Sequence, residues 1–226
     1  MKIFKTVLSI LLAVTLFLPI GDSKAAEKRP LIDDVYFFGD STTAHLAVRG
    51  EIARERVWSG EGSTMLFTSV CDRAVKIDGE MMTLAEAAAR YRPKILVITV
   101  GASGGAGFLK EGRFKSIYKK MLDGVKIASP ETKIIVQSIY PLSDRSVKYY
   151  KKLTRQAVVE ANGWIRDVCR EENVPYVDAH SILVDKNGYL RPEYQNDEYL
   201  HLTSAAYRAI LSNLEAYLEM HKDIYN

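Results

Sequence analysis

A serine at the end of a strand, and a histidine with carboxylates beside it far downstream, are the residues of this chain equipped for chemistry. The apolar run Val35-Tyr36-Phe37-Phe38 stops at Gly39-Asp40-Ser41, and a helical pattern follows. A buried strand ending in a glycine turn delivers the next side chain to the carboxyl edge of a sheet, where open α/β folds bind ligands. Ser41 is there a candidate nucleophile, provided the chain also supplies a base and donors for an oxyanion. The second segment, Asn196-Asp197-Glu198-Tyr199-Leu200-His201-Leu202, immediately precedes the last helical pattern. A neutral His201 can take the serine proton, and a carboxylate on its other nitrogen fixes the tautomer and stabilises the cation. Glu198 stands three residues before His201, so a turn can bring the two side chains together. A histidine base also implies activity that rises through roughly pH 6–7.

Two other segments test the specificity of that reading. Gly21-Asp22-Ser23 repeats the tripeptide outside any strand context and is chance. Gly101-Ala102-Ser103-Gly104-Gly105 follows the strand pattern Ile95–Val100 and matches Gly-x-Ser-x-Gly, the nucleophile elbow of α/β-hydrolases, which makes Ser103 a rival nucleophile. Against it, the helix expected directly after an elbow is delayed until about Arg113, the chain is short for that fold, and Gly39-Asp40-Ser41 is left unexplained. The same glycines lack the Gly-Lys-Ser/Thr of a P-loop, so nucleotide binding is not supported.

The elements that must position these residues alternate. Apolar strand patterns cover Val35–Phe38, Arg56–Trp58 (weakly), Ile95–Val100, Lys133–Ile139 and Val174–Val177. Helical spacing of apolar residues covers Thr83–Tyr91, Arg113–Ile127, Lys151–Glu172 and a last helix that opens at Thr203, a good N-cap. Val75–Met82 suits a small hairpin around Asp78-Gly79. Continuous apolar strands between helices argue a mainly parallel sheet covered on both faces, an α/β/α sandwich of about five strands.

Lys2 and Lys5 precede an apolar run from Thr6 to Ile20, and small residues follow at Ser23-Lys24-Ala25-Ala26. That order matches an export signal, read as residues 1–25, with residues 26–226 forming a single domain. Without Lys2, Lys5, Lys24 and Asp22 the balance falls from 31 basic and 28 acidic residues to 28 and 27. The basic character thus belongs largely to the leader and gives no case for nucleic acid. Contact with a membrane is expected only through the leader, if it stays uncleaved. Two cysteines, Cys71 and Cys169, make no disulfide framework, although export would permit one bond; Cys169 lies in an amphipathic helical pattern and reads as a buried thiol. With no CxxC pair and scattered histidines, a zinc site is not indicated.

Taken together, Gly39-Asp40-Ser41 and Glu198-Tyr199-Leu200-His201 resemble the SGNH (GDSL-type) hydrolases across nearly the whole mature chain. The resemblance implies a flavodoxin-like sheet and a serine esterase that forms an acyl-enzyme on Ser41, with no metal or organic cofactor. It implies small acyl groups on exported glycans, or simple lipid esters, as substrates. The family pattern has aspartate three residues before its histidine; Glu198 stands there, and Asp197 is a possible substitute. The oxyanion hole is expected from the N–H of Ser41, from Gly62 in Ser59-Gly60-Glu61-Gly62-Ser63, and from Ser103, which stands where the family has asparagine. A serine hydroxyl donates one hydrogen bond and reaches less far than an amide. Loss of a comparable donor costs on the order of 10²–10³ in turnover, so a slow enzyme, or a non-catalytic binding protein on the same fold, is the alternative. His45, four residues after Ser41, can share its helical face and line the pocket or lie on the surface. Tyr140-Pro141, Tyr149-Tyr150, Phe108 and Phe114 suit either core packing or the wall of an acyl or sugar groove. His180 and His221 read as structural or solvent-exposed.

Overall fold

The computed structural model describes residues 31–59, 65–197 and 199–225. The apolar runs become strands β1 (Val35–Gly39), β2 (Val57–Ser59), a hairpin of β3 (Val75–Ile77) and β4 (Glu80–Met82), β5 (Ile95–Thr99), β6 (Lys133–Gln137) and β7 (Tyr176–Val177). Five of them form one sheet in the order β2-β1-β5-β6-β7, every pair parallel. The hairpin turns at Asp78 and Gly79, both at positive φ, as a tight two-residue turn requires.

Among the described residues six α-helices complete the fold: α1 (Ser41–Val48), α2 (Leu84–Tyr91), α3 (Glu111–Ala128), α4 (Arg155–Glu171), α5 (Ser204–Met220) and α6 (Lys222–Tyr225). Alternation along the strands divides the interior into two layers. Phe38, Leu96, Ile98, Ile134 and Val136 pack with buried residues of α2, α3 and α4. Val35, Phe37, Ile95, Val97 and Ile135 face the other way, against Leu46 of α1 and Tyr207, Ile210 and Leu214 of α5. The α/β/α sandwich expected from the sequence is therefore the observed architecture.

Several boundaries shift from the sequence pattern by one to four residues, and two of the shifts have clear local causes. Helix α4 starts at Arg155 rather than Lys151 because Thr154 caps it, accepting the Ala157 N–H at 3.1 Å. Strand β7 loses Val174 because that N–H donates back to the Cys169 carbonyl at 2.8 Å, and Pro175 has no N–H to offer. Cys71 and Cys169 are both free thiols. Among the described residues no helix is long and apolar enough to cross a membrane. Residues 1–30, which include the expected export signal, lie outside the described residues.

From β1 the chain moves to one side for β2, then crosses back for β5, so the order reverses between β1 and β5. The crevice of a doubly wound sheet opens at the carboxyl ends of such a pair. There the two chains approach so closely that β1 must end in glycine. A Cβ on Gly39 would lie 2.0 Å from Thr43 Oγ1 and 2.3 Å from the Thr99 carbonyl oxygen. Gly39→Ala is expected to lower stability by about 1–3 kcal/mol through overpacking against backbone that cannot retreat, read as a fall in the urea midpoint without a change in slope.

Candidate active site

Ser41 is the first residue of α1, directly after the strand end, so its backbone N–H belongs to the helix turn that has no internal acceptor. Asp40 caps that helix. Its Oδ1 accepts the Thr42 N–H at 3.1 Å and the Thr42 hydroxyl at 2.8 Å. Asp40 is buried, and burial pushes its pKa up, against the pull of the Thr42 and Ser103 donors and the charge of His201.

His201 comes from the far end of the chain. It sits in the loop before α5, where Asn196 donates its N–H to the His201 carbonyl at 3.0 Å and Gln195 bridges to Leu202. Asp197 organises this loop: its Oδ1 accepts the N–H groups of Tyr199 (2.8 Å), Leu200 (3.1 Å) and His201 (3.2 Å). Its Oδ2 meets His201 Nδ1. Burial alone would raise the Asp197 pKa, but the Tyr199 N–H and the hydrogen bonds from the His201 ring and backbone outweigh it, and the carboxyl is held below its ordinary value. With Nδ1–H donating to Asp197, the lone pair of Nε2 is turned toward Ser41 Oγ, 3.3 Å away. Helix α5 is braced on α1 by the buried Tyr207, whose hydroxyl donates to the Thr42 carbonyl at 2.6 Å.

The sequence-predicted residues thus fall into three groups. Ser41, His201 and Asp197 are brought together. The carboxylate on Nδ1 is Asp197 rather than the expected Glu198, because a chain that turns back on Asp197 Oδ1 three times leaves the other oxygen of that carboxylate against the ring. Glu198 and Gly62 lie outside the described residues. Ser103 is half-buried at the carboxyl end of β5; its backbone lies near Asp40, and its carbonyl accepts the Phe67 N–H at 2.7 Å. The elbow reading of Ser103 fails on geometry, since His201 Nε2 faces Ser41 and α3 begins only at Glu111.

His45 stacks on the ring of His201, centroids 4.4 Å apart and planes 17° apart. Burial, then the nearby His201 and Arg49, push the His45 pKa down, while Asp197 opposes them. Its spacing from Ser41 gave the face; the stacking needed the distant loop. Beneath the serine, a small cavity among Asp40, Thr42, Ala102, Ile139, Leu142 and Leu200 has room for about one water molecule. An open groove of about 660 Å³ lies at the opposite end of the sheet, between Lys133 and Tyr225. Its Cys169 thiol is pushed up to about 12 by burial, which makes it a poor nucleophile. Among the described residues no cluster of His, Cys, Asp or Glu could hold a metal ion.

Residues 37–209 match the GDSL-like Lipase/Acylhydrolase family. Comparison with curated proteins returns no match. Among solved structures, a GDSL-like lipase from Bacteroides thetaiotaomicron superposes with a TM-score of 0.64 at 18% identity, covering 87% of this chain and 94% of that one. The lipase/acylhydrolase from Enterococcus faecalis gives 0.58 at 16% identity, covering 83% and 95%. A carbohydrate esterase family 3 protein from Talaromyces cellulolyticus gives 0.53 at 15% identity, covering 84% and 98%. These likenesses establish the shared fold, and the family match spans both the strand-end serine and the distant histidine: the chain belongs to the GDSL-like lipase/acylhydrolase family of ester hydrolases.

Proposed function

We propose that the protein is an exported serine esterase that removes small acyl groups from glycans, with simple lipid esters as the neighbouring possibility. One observation carries this reading: the continuous line from Asp197 through His201 to Ser41 Oγ. Export is supported by Lys2, Lys5 and the apolar run that follows them. A short acyl group is supported by the filled interior beneath the serine.

In the reaction Ser41 Oγ attacks the ester carbonyl carbon while His201 Nε2 takes its proton. The oxyanion forms near the Ser41 N–H at the start of α1, with the Gly62 N–H and the Ser103 hydroxyl as the further donors. The tetrahedral intermediate expels the alcohol, which leaves with the proton from His201. Water then repeats the sequence on the acyl-enzyme: His201 takes its proton, the acid departs and Ser41 is regenerated. Asp197 stabilises the imidazolium in both halves. Because Ser103 replaces the longer amide, turnover is slow relative to an amide-bearing site.

Hydrolysis of p-nitrophenyl acetate by purified protein tests this. Ser41→Ala is expected to abolish turnover above background; unchanged activity would sink the assignment, and an inactive wild type would favour a binding protein. Asp197→Asn is expected to lower kcat by about 10³–10⁴, with Glu198→Gln doing far less. Ser103→Asn is expected to raise kcat, by up to about 10², if that side chain reaches the oxyanion.

A further measurement concerns His45, which faces His201, Arg49 and Asp197. Its folded pKa is depressed, so its contribution to stability is full above the ordinary histidine value and is lost as pH falls below that value. The drop in unfolding free energy between pH 7 and pH 5 should therefore be smaller in His45→Phe than in the wild type. Identical drops in urea titrations at the two pH values would refute the assignment.

A further inference from the structure

We propose that the segment between β6 and α4, together with Tyr199, forms a subsite for an acidic sugar polymer, the alcohol part of the ester. This rests on the esterase reading above and gives it a substrate class.

Asp144–Arg155 carries Arg145, Lys148, Lys151, Lys152 and Arg155 against the single acid Asp144. All five basic side chains are exposed. The contrast with other lysines is informative. On α3, Lys115 and Lys119 pair with Asp167 and Glu171 of α4, and Lys126 pairs with Glu172 at the C-terminal cap of α4. Lys148, Lys151 and Lys152 have no acidic partner among the described residues. Three neighbouring ammonium groups without acidic partners repel one another, and they attract an anion of matching spacing.

The segment is also fixed beside the reacting groups. Ser143, at its start, donates its N–H to the Tyr199 carbonyl at 3.3 Å. Tyr199 stands between Asp197 and His201 in sequence and donates its own N–H to Asp197. The Tyr149 ring lies 4.2 Å from that of Tyr199, and Tyr150 meets the same ring at 6.2 Å. On its other side the segment abuts the loop that carries Ser103. Gly107, at φ +74°, lies so close that a Cβ there would be 1.9 Å from the Lys152 carbonyl oxygen, and Lys152 Nζ lies 5.7 Å from the centre of the Phe108 ring. The basic run is therefore a wall of the crevice, braced between the Ser103 loop and the His201 loop.

Its exposed surface combines ring faces with ammonium groups. Tyr149 is 45% exposed and Tyr199 37% exposed. Tyrosine rings offer a flat apolar face with a polar tip, which suits the C–H face and hydroxyl edge of a sugar ring. The lysines alongside supply point charges for carboxylates repeated along a polymer. Neutral glycans would use the rings and leave the ammonium groups without a role.

The experiment separates binding from catalysis. Ser41→Ala protein is titrated with O-acetylated polygalacturonate and with acetylated xylan in low salt, and the wild type is assayed for acetate release from both. Expected are tighter binding to the acidic polymer, at least about tenfold, and loss of that preference in 0.5 M NaCl. In Lys148→Glu/Lys151→Glu/Lys152→Glu, the ratio of kcat/KM on the acidic polymer to that on xylan should fall about tenfold or more; the Gln triple should fall partway, and Tyr149→Ala should weaken binding of both polymers. Equal affinity for the two polymers, or an unchanged ratio in the triple variant, would overturn the proposal. So would binding to phosphatidylglycerol vesicles in place of the polysaccharide. Selective binding by a protein that releases no acetate would overturn the esterase reading and leave the subsite standing.

Discussion

The buried carboxylate of Asp40 is the constraint on which the site depends. It takes hydrogen bonds from Thr42 in the first turn of α1, and the backbone of Ser103 on the loop after β5 lies near enough to favour its charged form. These are the two sides of the crevice opened by the reversal of strand order. An interior charge is costly unless its lone pairs are filled, so each donor is held in place by the penalty of leaving it unpaired. The serine that begins α1 and the loop across from it are thereby registered to each other through one residue. The bare Cα of Gly39 makes the approach feasible, and Tyr207 presses α1 from the opposite face.

The same arrangement explains what is left for Ser103 to do. Its carbonyl is taken by the Phe67 N–H and its backbone lies beside Asp40, which leaves its side chain as the candidate donor. The loop is thus built from the backbone and would keep its course with other side chains at that position.

Much of this was legible in the chain. Strand runs bounded by glycine and helical patterns led to the layered parallel sheet, because period and apolar content are local properties. The strand-end context of Ser41 separated it from the chance tripeptide at Gly21. What eluded the sequence depends on backbone turns. The spacing of Glu198 from His201 suited a turn as well as that of Asp197 did; only the three N–H groups gathered on Asp197 Oδ1 decide between them. Thr154 as a cap and Pro175 as a missing donor were readable in principle, and helical spacing at Lys151 and apolar content at Val174 overrode them. The stacking of His45 on His201, and the tilted contact of Tyr149 with Tyr199, join segments with no shared pattern.

In the mechanism proposed above, the base and its acid lie within one five-residue turn, whereas the serine that they serve is 160 residues away in sequence. The two halves of the site therefore have different histories during folding. The Asp197–His201 turn is a low-contact-order element that can close locally, while the contact with Ser41 waits for α5 to dock on α1. A nascent chain has its nucleophile early and nothing to activate it until the last fifth of the sequence has been made. Reactivity is in this way tied to completion of the domain, and an interrupted or partly unfolded chain carries only an ordinary serine.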